Sequence, residues 1–358
     1  MLVKLGTILK VQHGFAFKSE YYVENSSYRL VTLGNFSENN TFKTNDAKAT
    51  YYCTDFPSEF ILQENDLIMP LTEQVVGLFG NTALVPYSKE FKFVLNQRVG
   101  KIICDEQKVD KIYLHYLLAT KSVKKQLEDR ASGTRQRNIS PENIYDVIVD
   151  LPPIEMQRKI GGVLKSIEDQ IERNNAMIKK LQVLGKAIYS KNIDTVRYSN
   201  LSIISTITTG KENANHATTN GKYKFFTCSD SVSLCDDFKF EGKSILVAGN
   251  GNFNVKYYDG KFNAYQRTYI IKNNEIIGDL YYTLLFNTEL FKKKANGSII
   301  KFLTIDMLNK ISVPLFDNKT NYLLNKFLSE INIISENTDY LLALKSKLLP
   351  LLINQQLT

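Results

Sequence analysis

The sequence predicts an α+β fold: two similar mixed α/β domains separated by two long helices that form an antiparallel coiled coil, as a pseudo-two-fold internal repeat. Three observations predict it. Matched residues recur along the chain in a common order, most at offsets of 164 to 169. A run of apolar residues at alternating spacings of three and four follows the first repeat. A second such run follows the second repeat.

The repeat rests on ordered short matches. Gly133-Thr134-Arg135-Gln136-Arg137-Asn138-Ile139-Ser140 overlays Gly297-Ser298-Ile299-Ile300-Lys301-Phe302-Leu303-Thr304 as glycine, hydroxyl, variable pair, base, variable, aliphatic, hydroxyl. Phe93, Gln97 and Arg98 map onto Phe262, Gln266 and Arg267, and Ile112-Tyr113 with Leu117 maps onto Leu280-Tyr281 with Leu285. Tyr28-Arg29 and Thr32 resemble Tyr223-Lys224 and Thr227. Short β-type runs such as Ser244–Val247 and Thr268–Ile271 place strands in these parts, and helix-like stretches lie near 110–127 and 278–294.

The first long helix begins after Leu151-Pro152-Pro153, because proline is tolerated in a first helical turn. Glu155 then sits near the positive helix end. Its seam is Ile160, Leu164, Ile167, Ile171, Asn174, Ile178, Leu181 and Ile188, with Gly185 filling a gap and Glu168, Asp169, Glu172, Arg173, Lys179 and Lys180 on the faces between. A helix over 153–190 is roughly 55 Å long. The second seam is Leu324, Leu328, Ile331, Ile334, Leu341, Leu344 and Leu348. Such helices are marginal alone, and each is the obvious partner of the other. Two readings of Asn174 stand open: a polar layer fixing register, or an exposed residue where the seam has drifted. At the 164 offset it falls on Thr338. Gly161-Gly162 marks a kink or a close helix approach. The predicted domains are 1–152, the helix 153–192, 193–316, and the helix 317–358.

Composition bounds the function. The 358 residues carry 45 Lys and Arg against 37 Asp and Glu, a formal charge of +8, which mildly favours a polyanion. The four cysteines, Cys53, Cys104, Cys228 and Cys235, form no C-x-x-C and no dense disulfide framework. Free thiols in a reducing cytoplasm are the simplest reading, and the N-terminal residues have no signal-peptide pattern. No apolar run is long enough to span a bilayer, so no membrane partner is expected.

Catalytic motifs are thin. His13, His115 and His216 have no paired ligand spacing and read as surface or loop histidines. Gly249-Asn250-Gly251-Asn252 lacks the third glycine of a dinucleotide fingerprint, and no phosphate-binding loop occurs. Asp236, Asp237, Glu241 and Lys243 could hold Mg²⁺ for phosphodiester hydrolysis, but a turn before a strand explains them more simply. No metal site is expected.

Four stretches in order resemble one family: Gly14-Phe15-Ala16-Phe17-Lys18-Ser19; Leu151-Pro152-Pro153-Ile154-Glu155-Met156-Gln157-Arg158-Lys159-Ile160; Val247-Ala248-Gly249-Asn250-Gly251-Asn252 followed by Tyr265-Gln266-Arg267-Thr268; and Lys347-Leu348-Leu349-Pro350-Leu351-Leu352-Ile353-Asn354. They look like the DNA specificity subunits of type I restriction-modification systems, over essentially the whole chain. The second helix departs, entering by Val313-Pro314-Leu315-Phe316-Asp317 without the Pro-Pro and downstream Gln signature. The resemblance implies two target-recognition domains, each reading one half of a split double-stranded DNA target. It implies helices that dock two methyltransferase subunits using S-adenosylmethionine, and a motor-nuclease subunit using ATP and magnesium. This chain itself would hold no cofactor and catalyse nothing. Two readers on a rigid spacer suit half-sites about 34 Å apart.

The candidate DNA-contacting residues are Lys18, Gln97, Arg98, Arg135, Gln136 and Arg137 in the first repeat. In the second they are Asn250, Asn252, Asn254, Lys256, Gln266, Arg267 and Lys301. Arg suits guanine edges, Asn and Gln suit adenine edges. Arg98 and Arg267 recur, so a shared structural role is at least as good a reading for them. Arg135 and Gln136 stand against Ile299 and Ile300 and are better specificity candidates. Two other function classes remain: a single-chain DNA-cleaving or modifying enzyme using Asp236, Glu241 and Lys243, and a plain coiled-coil scaffold.

Overall fold

The computed structural model describes residues 1–354 except 38, 45, 75, 76, 135, 194, 195 and 295–301. It divides into two compact units, one of Met1–Asp169 with Leu342–Thr358 and one of Gln170–Leu341.

In the first unit, Leu67-Ile68-Met69-Pro70 is a wholly buried apolar run, and it forms an inner strand. Its sheet runs, in spatial order, Leu9–His13, Val99–Cys104, Leu67–Pro70 and Ala83–Leu84, all antiparallel. A second sheet runs Tyr22–Val23, Tyr51–Tyr52, Tyr28–Val31 and Lys92–Leu95, the last pair parallel. Leu2–Lys4 pairs with Ile148–Asp150. The helix Lys111–Leu118 starts at Asp110, whose carboxylate accepts from Tyr113 N at 2.8 Å.

The second unit repeats this plan. Its first sheet runs Thr206–Thr209, Thr268–Lys272, Ser244–Ala248 and Val255–Tyr258, again antiparallel and again with a fully buried inner strand, Ser244–Ala248. Its second sheet runs Ser233–Cys235, Tyr223–Phe226, Lys261–Ala264 and Phe240–Glu241, with one parallel pair in the middle. Arg197–Asn200 pairs with Ser312–Leu315. The match of Tyr28 to Tyr223 is a true equivalence, since Tyr28 pairs with Tyr52 as Tyr223 pairs with Cys235, whereas residues 297–301 of the Gly297–Thr304 match lie outside the described residues.

The long helices span Ile154–Asn192 and Asn318–Ile353. Within each unit, parts of both pack together and into that unit's core. Ile160, Leu164 and Ile353 join Tyr113 and Leu117 in the first unit, and Tyr189, Leu324 and Leu328 join Tyr282 in the second. Ile171 and Ile331 are buried, whereas Ile167, Ile178, Leu181, Ile334, Leu341, Leu344 and Leu348 are only half-buried. The most deeply buried seam residues, Ile160, Leu164, Leu324 and Leu328, are those that join a domain core.

Three findings refine the helix reading. Glu168, on a charged face between the seam residues, is buried, accepting from Tyr116 Oη at 3.0 Å and pairing with Lys345 at 2.5 Å. Its neighbours come from other elements, which the helical period does not register. Asn174 is buried and belongs to the polar-layer reading. Gly161 is a close approach, since a Cβ there would collide with Tyr113 N, while Gly162 faces open space.

The missing Pro-Pro-Gln signature is replaced in kind. Gln157 ties the first helix to its domain, donating to Pro152 O at 2.9 Å and accepting from Asp110 N at 2.9 Å. In the second unit Asn321 donates to Asp279 at 3.2 Å, and Asn325 accepts from Gly278 N at 2.7 Å.

Candidate nucleic-acid interface

Each unit presents one tight turn between its two sheets. In the first, Lys92–Leu95 passes through Asn96-Gln97-Arg98 into Val99–Cys104. In the second, Lys261–Ala264 passes through Tyr265-Gln266-Arg267 into Thr268–Lys272. The backbone bonding is matched. Val99 N donates to Asn96 O at 2.9 Å, and Thr268 N to Tyr265 O at 2.8 Å. The Arg98 carbonyl accepts from Leu71 N at 2.9 Å, and the Arg267 carbonyl from Gly249 N at 2.8 Å. Gly14 and Gly210 lie against these turns so closely that a Cβ would strike the Asn96 and Ala264 backbone. The backbone is thus locked while the side chains of Gln97, Arg98, Gln266 and Arg267 stay exposed.

The same bonds gather the other candidate loops. Leu71 also accepts from Ile139 N at 3.0 Å, which brings the 132–138 loop beside Arg98. Gly133, at φ +111°, turns that loop. Exposed Lys18 follows Gly14 and Phe15, whose carbonyl accepts from Gln97 N at 3.0 Å. In the second unit Gly249 accepts from Leu303 N at 2.8 Å, and Asn250 bridges Phe302, so the 249–254 loop lies beside Arg267.

The individual side chains differ in what they can offer. Gln136 is half-buried, its Nε2 3.4 Å from Asn138 Oδ1. Arg137 is committed within its unit, pairing with buried Glu73 at 2.9 Å and lying over the Phe79 ring at 5.7 Å. Asn254 donates to Cys228 O at 3.1 Å and Asp230 at 3.0 Å, and Lys256 donates to Ser229 O at 2.6 Å. Burial holds the Lys256 ammonium below its ordinary pKa. Asn252 is exposed and reaches Asp230 at 3.1 Å. Arg135 and Lys301 lie outside the described residues. Sequence reading passed over Glu73 and Asp230, the acidic anchors of both loops, because no repeat or spacing marks them.

The nuclease-like set does not assemble. Asp236 follows strand Ser233–Cys235 and Glu241 ends strand Phe240–Glu241, and these strands are opposite edges of a four-stranded sheet. That places them on the order of 14 Å apart. Gly242, at φ +85°, makes the turn into the buried strand Ser244–Ala248.

The geometry defines a duplicated α+β protein that displays one equivalent polar loop cluster on each repeat. A family model described as the type I restriction modification DNA specificity domain matches residues 1–183 and 193–346, and the chain belongs to that family. The type I restriction enzyme EcoDI specificity subunit of Escherichia coli is 40% identical over 138 residues, 38% of this chain and 29% of that protein. The MjaVIII specificity subunit of Methanocaldococcus jannaschii is 28% identical over 204 residues, 54% of this chain and 47% of that protein. The chain spans less than half the length of these curated relatives. The fold is also that of a solved type I restriction-modification S subunit from M. genitalium, with a TM-score of 0.69 at 15% identity, covering 98% of this chain and 95% of that one.

Proposed function

We infer that the chain is the sequence-reading subunit of a type I restriction-modification complex, and that each unit reads one half of a bipartite double-stranded DNA target. The observation that carries this is the repeated turn. Two units hold an exposed Gln-Arg pair on identical backbone bonding, and surround it with loops of different sequence. Equal scaffolds with unequal loops are what two different half-sites require.

On this reading the chain holds no cofactor and performs no catalysis. Two methyltransferase subunits supply S-adenosylmethionine chemistry, and a motor-nuclease subunit adds ATP- and magnesium-dependent cleavage. Their docking surface is the outer face of the long helices, where Val163, Met177, Leu184, Ile333 and Tyr340 are exposed. No helix among the described residues is long and apolar enough to cross a membrane. The proposed site of action is the cytoplasm, where the DNA target lies.

The test is a genomic adenine-methylation map with and without this gene. A bipartite motif that vanishes on deletion supports the reading. An unchanged map, or Mg²⁺-dependent cleavage by the homogeneous chain that Glu241→Ala abolishes, defeats it.

A further inference from the structure

The two units differ where the segment after the turn-contacting glycine is anchored. In the first unit that anchor is aromatic. Buried Phe17 packs its ring 4.6 Å from Tyr52 and 5.2 Å from Phe56, and Phe15 lies 5.0 Å from Phe17. Tyr52 is paired to Tyr28, so its register equivalent in the second unit is Cys235, paired to Tyr223. The aromatic ring is therefore replaced by a fully buried thiol.

The thiol lies 3.1 Å from the Asp237 backbone carbonyl, and two metal-binding side chains stand beside it. His216 Nε2 lies 2.6 Å from Asp237 Oδ1, and one donor atom each from His216, Cys235 and Asp237 lies within 4.8 Å of the others. The other ring nitrogen, Nδ1, is 3.5 Å from the carboxylate of Glu212, which also pairs with Lys239. Buried Asn263 donates to Asp237 Oδ1 at 3.4 Å. A carboxylate behind the outer nitrogen of a ligating histidine is the usual way of fixing its tautomer.

We propose that His216, Cys235 and Asp237 bind a Zn²⁺ ion, with Glu212 orienting the imidazole and water taking the fourth position. One imidazole nitrogen, one thiolate and one carboxylate suit a borderline ion and disfavour Mg²⁺ or Ca²⁺. Half-exposed His216 and Asp237 leave a side open to water. Metal–ligand bonds of about 2.0–2.3 Å require the imidazole and carboxylate to part by roughly 0.5–1 Å, and the thiol to close in. Binding releases the thiol proton to solvent. A bound cation would hold this thiol as its thiolate.

The site would clamp a reading element. Glu212 holds His216 with its side chain while its carbonyl accepts from Gln266 N at 2.9 Å, so the ion would stiffen the base of the Gln266-Arg267 turn. The first unit achieves the same anchoring with Phe17 and Tyr52.

The experiment is Co²⁺ and Zn²⁺ titration of the full chain after chelator stripping. The expected result is one equivalent of Co²⁺ with a thiolate-to-cobalt charge-transfer band in the near ultraviolet, displaced by Zn²⁺. Cys235→Ser and His216→Gln should each abolish the band, while Cys53→Ser, Cys104→Ser and Cys228→Ser retain it. Glu212→Gln should weaken Zn²⁺ binding by about 10–100-fold. His216→Gln, at a half-exposed position, keeps the test decisive should the Cys235 variant not fold. A folded chain with no such band, one whose band survives His216→Gln, or Zn²⁺ binding weaker than about 10 μM overturns the proposal, leaving His216 and Asp237 as an ordinary hydrogen-bonded pair.

Discussion

Asn174 Nδ2 lies 3.1 Å from Thr338 Oγ1 in the buried seam of the long helices. These two residues are also equivalents of the internal repeat, 164 positions apart. The same amide reaches Asn337 Oδ1 at 2.9 Å, and Asn174 Oδ1 accepts from Gln170 at 2.8 Å. A satisfied polar group inside an apolar seam penalises every register that would leave it unpaired.

Asn174→Ala should therefore cost about 1–3 kcal/mol, because the hydroxyl of Thr338 and the amide of Gln170 each lose a partner. Replacing Asn174 by Leu together with Thr338 by Val should recover the part of that loss owed to Thr338, since those two polar groups leave together. Urea denaturation of the three proteins checks it. An Asn174→Ala variant as stable as the parent would show that the polar layer contributes nothing.

The adjacent glycines of the first long helix should respond in opposite directions to the same substitution. Gly162→Ala gains helix propensity in open space and should stabilise by about 1 kcal/mol. Gly161→Ala gains the same propensity but pushes a Cβ onto Tyr113 N, and overpacking of that kind costs about 1–3 kcal/mol. Melting temperatures of the two variants should bracket the parent.

Much of this was legible beforehand, and the failures share a cause. The duplication, the start after Pro153 and the equivalence of Asn174 with Thr338 were readable because period and offset are properties of one chain segment against another, while the burial of Asn174 was not. The burial of Glu168 was not legible because it depends on Tyr116 and Lys345, which the period of its own helix cannot see. The approach of His216 to Cys235 and Asp237 was not legible, because those residues are 19 and 21 positions away. Arg137 looked free because Glu73, its partner, lies 64 residues upstream across a two-residue strand pair.

The equivalent turns make a claim about DNA reading. Arg98 and Arg267 occupy identical backbone settings, so a common phosphate contact is expected of them. Arg98→Ala or Arg267→Ala should weaken binding about equally for all sequences and lower the salt slope by about 1. Gln136→Ala should relax one half-site and Asn252→Ala the other, each by about 1–3 kcal/mol of discrimination. Binding of the assembled complex to half-site libraries at several salt concentrations measures both. Either arginine variant altering the preferred base at a single position would reverse these roles.

His115 gives the first unit an acid-sensitive core. Its ring is fully buried, with Nδ1 2.7 Å from Thr82 Oγ1. Burial pushes its pKa down to about 4, Glu168 opposes that, and Lys345 and Lys165 add to it. The native ring thus stays neutral while the unfolded chain protonates near 6.5. Its contribution is complete above pH 6.5 and is lost as the pH falls toward 4, by roughly 3 kcal/mol in all. Asp279 in the second unit works the other way. Burial raises its carboxyl to about 6, so its contribution is present below the ordinary carboxyl range and lost as the pH rises through 6. His115→Gln should flatten the fall in stability between pH 7 and 5, and an unchanged slope in that variant would place the acid sensitivity elsewhere.

The second unit is one uninterrupted stretch, 170–341, whereas the first is assembled from two stretches, since Ile353 closes the core that Ile160 and Leu164 enter. The two are therefore unequal as genetic cassettes. A single inserted fragment can deliver the second unit with its interior complete. A transplant of residues 1–152 arrives without the closing residues Leu349, Leu352 and Ile353, and must mate with a foreign plug. Grafts that carry the first unit should include 342–354 in the same exchange, and a lineage diversifying its targets by crossover meets less resistance through the middle of the gene than at its start.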